Sequence, residues 1–187
     1  MSSKQKAIMA VNHPNNPNIG NRSIILVGMM GVGKSSIGRR LADRLHLPFV
    51  DADDEIEAAA DMKISEIFEK FGEDYFRDGE RRVIARLLEG EPKVIATGGG
   101  AFINEETREV IRDKALSIWL DADIDILVQR VSRRNHRPLL RGKDPRKVLK
   151  ELGEARNPIY AQAELHVRSD SSPHARTVEL IMKELTK

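Results

Sequence analysis

Residues 28–35 read Gly28-Met29-Met30-Gly31-Val32-Gly33-Lys34-Ser35 and match the pattern G-x-x-x-x-G-K-(S/T). The apolar run Ser23–Val27 precedes them and predicts a strand that is buried on both faces. After them, apolar residues at a spacing of four predict an amphipathic helix that ends near His46: Ile37, Leu41 and Leu45. The pattern is meaningful only between a strand and a helix, and here it has that context. The sequence therefore predicts a phosphate-binding loop, called the phosphate loop below.

The residue types of the phosphate loop suit a nucleoside triphosphate. Glycines allow successive backbone N–H groups to turn toward a polyphosphate, and the following helix adds the positive end of its dipole. We expect Lys34 to reach the β- and γ-phosphates as a catalytic residue, and the Ser35 hydroxyl to ligate Mg²⁺. The alternative is a dinucleotide-binding turn, which requires G-x-G-x-x-G, and the loop lacks that pattern. The residues expected to bind ATP here are Gly31, Val32, Gly33, Lys34, Ser35 and Ser36.

Composition narrows the class of protein. The 187 residues suffice for one domain, 40% of them are hydrophobic, and no apolar run approaches the ~18 residues of a membrane span. The absence of cysteine excludes a disulfide framework and is consistent with a reducing cytoplasm. A net charge of +2 is too small by itself to indicate a nucleic-acid partner. Residues 1–22 lack the apolar segment of a secretory signal and predict a flexible tail before a single domain at 23–187.

Predicted strands and helices alternate along the rest of the chain. Further short apolar runs predict strands at Pro48–Asp51, Val94–Thr97, Leu116–Leu120 and Glu164–Val167, with stripes at helical spacing between and after them. This alternation predicts an α/β fold in which helices cover both faces of a parallel sheet, a three-layer α-β-α arrangement. In such a fold, ligands bind beyond the carboxyl ends of the strands. Residues that follow strands are therefore the first candidates for a site.

Asp51 and Asp53 close the second predicted strand. They alternate along an extended chain, so we expect both side chains to point the same way. One carboxylate can serve Mg²⁺ through water, and the other can accept a proton from a substrate hydroxyl. The alternative is that Asp53 or Asp54 caps the helix that starts near Glu55. For the pair as a whole, capping and catalysis are compatible.

Two further motifs have both a structural and a functional interpretation. Arg77 and Glu80 stand three apart on one helical face, where a surface ion pair is the usual explanation. Gly98-Gly99-Gly100 directly follows the third predicted strand. Three glycines cost conformational entropy, so a close approach of backbone to ligand explains them better than a generic turn does.

The segment from Arg130 to Lys147 holds eight Lys or Arg and one acid, Asp144. Such a run is usually a solvated face, and a nucleic-acid-binding module is a second alternative. In a protein that holds a polyphosphate, a mobile lid that supplies Arg137 to the transferring phosphate is a sharper hypothesis. Arg156, in Arg156-Asn157-Pro158-Ile159-Tyr160, is expected just before a proline break, where its guanidinium could clamp a carboxylate.

From about Ile24 to the C-terminal helix, the sequence resembles shikimate kinases. The resemblance rests on motifs in a fixed order: the phosphate loop, Asp51-Ala52-Asp53, Phe76-Arg77 with Glu80, Gly98–Gly100, Arg137-Pro138-Leu139-Leu140 and Arg156-Asn157-Pro158-Ile159-Tyr160. It implies a P-loop NTPase fold with a five-stranded parallel sheet in the order 2-3-1-4-5, a substrate-binding helical region at about 53–82 and a lid at about 132–147. It also implies transfer of the γ-phosphoryl group of ATP to the 3-hydroxyl of shikimate, in aromatic amino-acid biosynthesis.

The resemblance also implies a role for each candidate residue. Asp53 would bind the shikimate hydroxyls and act as base, and Arg137 would close onto the phosphates as a catalytic residue. The shikimate site would comprise Asp53, Arg77, Glu80, Gly98, Gly99, Gly100 and Arg156, with both arginines on the carboxylate. Ser35 and Asp51 would serve Mg²⁺, and adenine would lie near Arg133, Ser172 and Pro173. The family often has Ser-Thr after the lysine of the phosphate loop, and Ser35-Ser36 keeps both hydroxyls.

The expected ligands are therefore shikimate, ATP and Mg²⁺, without nucleic acid or membrane, in a cytoplasmic monomer. The enzyme alternative is gluconate kinase or another small P-loop metabolite kinase, which need not present both Arg77 and Arg156 to a carboxylate. The alternative of another class, a nucleic-acid-binding module, lacks an RNA-binding signature and aromatic residues interleaved with the basic segment.

Overall fold

The computed structural model describes residues 19–133, 140 and 142–187. Its strands are β1 (Ser23–Val27), β2 (Phe49–Asp51), β3 (Val94–Ala96), β4 (Ala115–Asp121) and β5 (Leu165–Arg168). Its α-helices are α1 (Lys34–Leu45), α2 (Ala52–Ala60), α3 (Ile64–Leu87), α4 (Glu105–Lys114), α5 (Ile124–Ser132), α6 (Pro145–Tyr160) and α7 (His174–Leu185), with a short 3-10 helix at Ala101–Ile103. The first predicted strand has the bounds of β1, and the other four differ from the observed bounds by one residue at one end or at each end.

The five strands form one parallel sheet in the order β2-β3-β1-β4-β5. The predicted α/β class and the strand order 2-3-1-4-5 are therefore confirmed. Ile25 of β1 lies beside Ile95 of β3, and Asp51 of β2 lies beside Ala96. This register brings the carboxyl ends of β1, β2 and β3 to one edge of the sheet, and with them the phosphate loop, Asp51 and Gly98–Gly100.

The central strands supply the core. β1 and β3 are buried along their whole length, and β4 is buried up to its last residue, whereas β2 and β5 are the partly covered edges. Burial of each large aliphatic side chain contributes about 1.5–3 kcal/mol, so the middle of the sheet is a rigid support for the loops at its edge. Ile19, at the end of the predicted tail, is 1% exposed and packs with this core, and the first 18 residues lie outside the described ones.

Two helices differ from a simple periodic pattern. α3 bends at Gly72, which has φ 81° and ψ 177°, so two helical segments meet at this residue. α6 runs through Pro158 to Tyr160, and the expected proline break after Arg156 is wrong. Pro158 lies in the last turn, where its missing N–H removes a single helical hydrogen bond, and Ala161 N still donates to the carbonyl oxygen of Asn157 (2.9 Å).

None of the helices in the described part of the chain is both long and apolar enough to span a membrane.

Candidate active site

The phosphate loop turns sharply as it leaves β1. Gly28, Gly31 and Gly33 have φ of 136°, 83° and 100°, values that residues with a Cβ rarely adopt. A Cβ on Gly28 would also collide with the carbonyl oxygen of Leu120. The glycines are therefore needed for the path of the backbone, as the sequence pattern predicts.

Lys34 is folded back over this loop. It is 9% exposed, and its Nζ donates to the carbonyl oxygens of Gly28 (2.8 Å) and Met29 (3.0 Å). α1 begins at Lys34, so its first-turn N–H groups and its dipole point to the same space as the lysine ammonium. This combination favours the binding of an anion with several negative oxygens.

Asp51 links the end of β2 to the start of α1. Its Oδ2 accepts a hydrogen bond from the Ser35 hydroxyl (2.6 Å), and its Oδ1 accepts one from the backbone N–H of Asp53 (3.1 Å). Asp51 is thus the N-cap of α2, so the assignment of the cap to Asp53 or Asp54 is wrong. Because Asp51 satisfies the helix start, the Asp53 carboxylate is available for another role.

Asp53 and Glu80 meet at Gly98. A Cβ on Gly98 would lie 2.9 Å from Asp53 Oδ1 and 3.4 Å from Glu80 Oε1, so a side chain there would displace a carboxylate. Burial raises the pKa of Asp53 to about 6, and repulsion from Asp51 adds to the rise while Lys34 opposes it. Burial likewise raises the pKa of Glu80 to about 7 and outweighs the attraction of Arg77. Perturbed carboxyls in a cleft are a usual property of functional sites.

Arg77 packs over the same glycine segment. Its Nη1 lies 2.7 Å from Oε2 of Glu80, which is 1% exposed, and its guanidinium fills the space that a Cβ on Gly100 would take. The usual explanation of this pair, a surface ion pair, is wrong because Glu80 is enclosed in the protein. The buried carboxylate holds the guanidinium in one orientation, toward the glycines.

Arg156 approaches the glycines from α6. Its Nη1 lies 3.5 Å from the position of a Cβ on Gly99, and one turn later Tyr160 is fully buried and its hydroxyl donates to the carbonyl oxygen of Gly99. Burial raises the pKa of Tyr160, while Arg156 and Arg77 oppose this rise, so both cations lie within electrostatic reach of its hydroxyl. The two arginines are thus brought together over Gly99 and Gly100.

A cleft of about 480 Å³ joins the phosphate loop to the aspartates and the glycines. The predicted residues that line it are Gly31, Gly33, Lys34, Ser35, Ser36, Asp51, Asp53, Gly98, Gly99 and Arg133. Val32 is fully buried behind the loop, and Arg77, Glu80, Gly100 and Arg156 stand beside the cleft through the contacts described above.

The other predicted residues have different positions. Ser172 and Pro173 are not among the residues that line the cleft, whereas the next residue, His174, is, and the adenine contacts stay a prediction. Arg137, Pro138 and Leu139 lie outside the described residues, so the predicted lid arginine stays a prediction. Leu140 packs against the core.

Sequence reasoning gave no role to several residues at this site, among them Arg130, Tyr160 and His174. Arg130 and His174 line the cleft, and Tyr160 supports Gly99. For Tyr160 a signal was present, since it lies one helical turn after Arg156 on the same face. For Arg130, the contacts are to residues 98 and 40 positions away, which a local pattern does not reveal.

The buried carboxyl of Glu80 gives the free protein a testable pH dependence. Its pKa in the folded state is about 7, above the ordinary 4.5, so folding favours the protonated carboxyl. The resulting contribution to the unfolding free energy is fully present below pH 4.5 and is lost as the pH rises through 7. We expect the unfolding free energy of the wild type, relative to Glu80→Gln, to fall by about 2–4 kcal/mol between about pH 4.5 and pH 8. Urea unfolding at several pH values would measure it.

Glu73→Gln is the matched control, because Glu73 also pairs with Arg77 but is 67% exposed. Its unfolding free energy should follow that of the wild type across the same range. A wild-type stability that rises relative to Glu80→Gln as the pH increases would contradict the raised pKa.

Comparisons with known proteins indicate one family. A family model described as shikimate kinase matches residues 30–186. A curated shikimate kinase of Caulobacter vibrioides is 62% identical over 164 residues, which are 88% of this chain and 82% of the relative. One of Zymomonas mobilis is 55% identical over 166 residues, 89% of this chain and 94% of the relative.

Solved structures give the same result. Shikimate kinase from Acinetobacter baumannii in complex with shikimate superposes with a TM-score of 0.84 and 34% identity, over 88% of this chain and 93% of that one. A gluconokinase from Sinorhizobium meliloti has a TM-score of 0.60 at 20% identity, over 88% and 91%, and shows the shared fold alone. From the matched family model and these relatives, the chain belongs to the shikimate kinase family.

Proposed function

We propose that this protein transfers the γ-phosphoryl group of ATP to the 3-hydroxyl of shikimate and releases shikimate 3-phosphate and ADP. The observation that carries the proposal is the convergence of three groups on one glycine segment. Asp53 lies against Gly98, while Arg156 and Arg77 lie against Gly99 and Gly100. A carboxylate that can accept a proton and two guanidinium groups that can hold a carboxylate suit a hydroxy acid such as shikimate.

The groups around the cleft suit the reaction. Lys34 and the start of α1 would hold the phosphates, Asp53 lines the same cleft, and the two arginines lie against the adjoining glycines. The substrate hydroxyl oxygen forms a bond to the γ-phosphorus, its proton passes to Asp53, and the bond between that phosphorus and the bridging oxygen of ADP breaks. Because such a transition state asks for little covalent chemistry, positioning and charge neutralisation by the protein supply most of the acceleration.

Mg²⁺ fits the oxygen atoms that the chain offers beside Lys34. The Ser35 hydroxyl and Asp51 Oδ2, 2.6 Å apart, are hard oxygen ligands of the kind that this ion takes, together with several waters and the nucleotide phosphates. Bound there, it would neutralise charge on the β- and γ-phosphates. We include this ion in the proposed reaction. That the protein acts as a monomer in the cytoplasm stays a prediction.

The acceptor is tested by ADP release measured with shikimate, gluconate and AMP as competing candidates. We expect turnover with shikimate that exceeds the hydrolysis of ATP alone. We expect none with AMP, which has no carboxylate for the arginines, and none with gluconate, whose open chain does not hold its carboxylate and hydroxyls at the fixed separation that a ring gives. Lys34→Met supplies the background rate. Turnover of gluconate in place of shikimate would overturn the proposal in favour of a gluconate kinase.

A further inference from the structure

Tyr160 is the last residue of α6, and its side chain is fully buried. Its ring packs at a tilt against Trp119 of β4, with 6.1 Å between the ring centroids, and its hydroxyl donates to the carbonyl oxygen of Gly99. Burial raises the pKa of Tyr160, so the hydroxyl keeps its proton at neutral pH and remains a donor. This hydrogen bond therefore connects the rigid part of the sheet to the middle of the glycine segment.

The other carbonyl groups of the glycine segment are satisfied locally. The carbonyl oxygens of Gly98 and Gly100 accept hydrogen bonds from backbone N–H groups three residues further along, at 3.2 and 3.1 Å. Such bonds belong to the tight turns of the 3-10 helix that follows. The carbonyl of Gly99 is held instead by Tyr160, from another layer of the fold. The orientation of the middle peptide group is thus determined by a tertiary contact.

The peptide group between Gly99 and Gly100 has its two polar ends on opposite sides. A trans peptide points its C=O and its N–H in opposite directions, so the N–H of Gly100 faces away from Tyr160. Within the described part of the chain, this N–H donates to no other group. The guanidinium of Arg77 lies against Gly100, so an oxygen atom held by Arg77 would lie near an open N–H.

The glycines themselves permit the opposite orientation of this peptide group. Gly100 has φ −90°, and a half-turn of the peptide would bring this angle to about 90°, which glycine adopts readily and other residues rarely do. The turned peptide would present the carbonyl oxygen of Gly99 where the N–H of Gly100 now stands. A carbonyl oxygen there would repel a substrate carboxylate, so the hydrogen bond from Tyr160 favours the orientation that can bind one.

We propose that Tyr160 is a positioning residue for the acceptor substrate, because its hydroxyl fixes the Gly99–Gly100 peptide group and so presents the N–H of Gly100 to oxygen atoms that the arginines hold. The inference rests on the proposed function, since it takes shikimate to be the acceptor. It assigns the hydroxyl of Tyr160 a task that packing of the ring alone does not fulfil.

The test compares shikimate with ADP as ligands of Tyr160→Phe by calorimetry. Phenylalanine keeps the ring beside Trp119 and removes only the hydroxyl. We expect shikimate to bind about tenfold more weakly than to the wild type, since a hydrogen bond to a charged group is lost, and ADP to bind within about twofold of it. In steady-state rates, KM for shikimate should rise by a similar factor while kcat stays within about threefold. An equal loss for both ligands, which a merely structural role predicts, or no loss for shikimate would overturn the proposal.

Tyr75→Phe is the matched control, because Tyr75 is the other tyrosine of the chain. It lies in α3, two residues before Arg77, but is 51% exposed and stacks on Phe71. Loss of its hydroxyl should change neither the affinity for shikimate nor that for ADP. A loss of shikimate binding in this variant equal to that in Tyr160→Phe would contradict the assigned role.

NMR measures the orientation of the peptide group directly. In the free protein, Tyr160→Phe should move the carbonyl carbon resonance of Gly99 upfield because its hydrogen bond is lost, and Tyr75→Phe should leave it in place. In the wild type, the amide proton of Gly100 should move downfield when shikimate is added. The second measurement needs no substitution, so it decides the proposal even if Tyr160→Phe unfolds. An unmoved amide proton in the wild type saturated with shikimate would overturn it.

The outcomes separate this inference from the proposed function. Failure of the wild type to bind shikimate would overturn the proposed acceptor and this inference with it. Normal shikimate binding by Tyr160→Phe would overturn the inference alone, because the wild-type reaction would remain as proposed.

Discussion

Asp53→Asn is expected to lower kcat by roughly 10²–10⁴-fold, the usual contribution of a positioned general base. The amide keeps the size of the side chain beside Gly98 but does not accept the proton of the substrate hydroxyl. ATP binding should change little, because Lys34 and the start of α1 hold the phosphates. Steady-state rates with shikimate, together with direct measurement of ATP affinity, would check both parts. A kcat within about fivefold of the wild type would show that Asp53 is not the base.

The same substitution should stabilise the free protein. Burial and the neighbouring charge of Asp51 raise the pKa of Asp53 to about 6, so its ionised form costs folding free energy above that pH. The amide removes this cost, and we expect the unfolding free energy at about pH 8 to rise by about 1–3 kcal/mol. The helix start is unaffected because Asp51 is the cap. Loss of activity with a gain in stability is what a functional carboxylate should show.

Asp54→Asn is the matched control for both measurements. Asp54 is the next residue of α2 and is exposed, so it shares the sequence neighbourhood of Asp53 but not its contact with Gly98. Neither kcat nor the unfolding free energy should change appreciably. A similar loss of kcat in this variant would assign the effect to the charge of the helix start.

The sheet and the phosphate loop were predictable because their signals are local. The apolar run at 24–27 predicts a buried strand, and all five residues of β1 are buried. The order strand, glycine-rich loop, helix is contained in residues 23–45. The rule that ligands bind at the carboxyl ends of parallel strands then brought Asp51, Asp53 and Gly98 to one place without any contact being known.

The environment of Glu80 shows a signal that was present but ambiguous. Residues 76, 83, 84 and 87 form an apolar stripe, and position 80 falls within it at helical spacing. A carboxylate on the buried face indicates an enclosed partner, whereas the spacing from Arg77 alone suggests an ordinary surface pair. The apolar stripe is the better predictor of the environment of Glu80, because it indicates whether the carboxylate is buried or exposed to solvent.

Contacts between distant segments were not predictable in this way. The hydroxyl of Tyr160 reaches Gly99, 61 positions away, and Arg130 reaches Val32, 98 positions away. Both depend on how α5 and α6 pack at the edge of the sheet, which periodicity does not specify. Pro158 shows that a local signal can also mislead. A proline usually marks the end of a helix, but in the last turn of α6 it removes only one hydrogen bond, and the helix continues to Tyr160.

Arg156→Ala is expected to weaken shikimate binding by about 2–5 kcal/mol, the range for removing one partner of a buried charge pair. The side chain is half-buried over Gly99, next to Arg77, so a substrate carboxylate held there loses water on binding. ATP affinity should remain unchanged, because Arg156 does not line the phosphate side of the cleft. Calorimetry with shikimate and with ADP would measure both affinities. A loss of binding free energy below ~0.5 kcal/mol would mean that Arg156 contributes no more than an ordinary surface cation does.

The methyl ester of shikimate separates a carboxylate clamp from a general packing effect. If Arg156 pairs with the carboxylate, the wild type should bind the ester more weakly than the acid, and Arg156→Ala should bind both nearly equally. In Arg156→Lys, the difference in affinity between acid and ester should be intermediate between those of the wild type and Arg156→Ala, because lysine keeps the charge without the forked guanidinium. Arg146→Ala is the control on the same helix, since Arg146 is 55% exposed and pairs with Asp125. Equal losses for acid and ester in Arg156→Ala would mean that this guanidinium shapes the site without binding the carboxylate, and the assignment of a hydroxy acid would then depend on Arg77 alone.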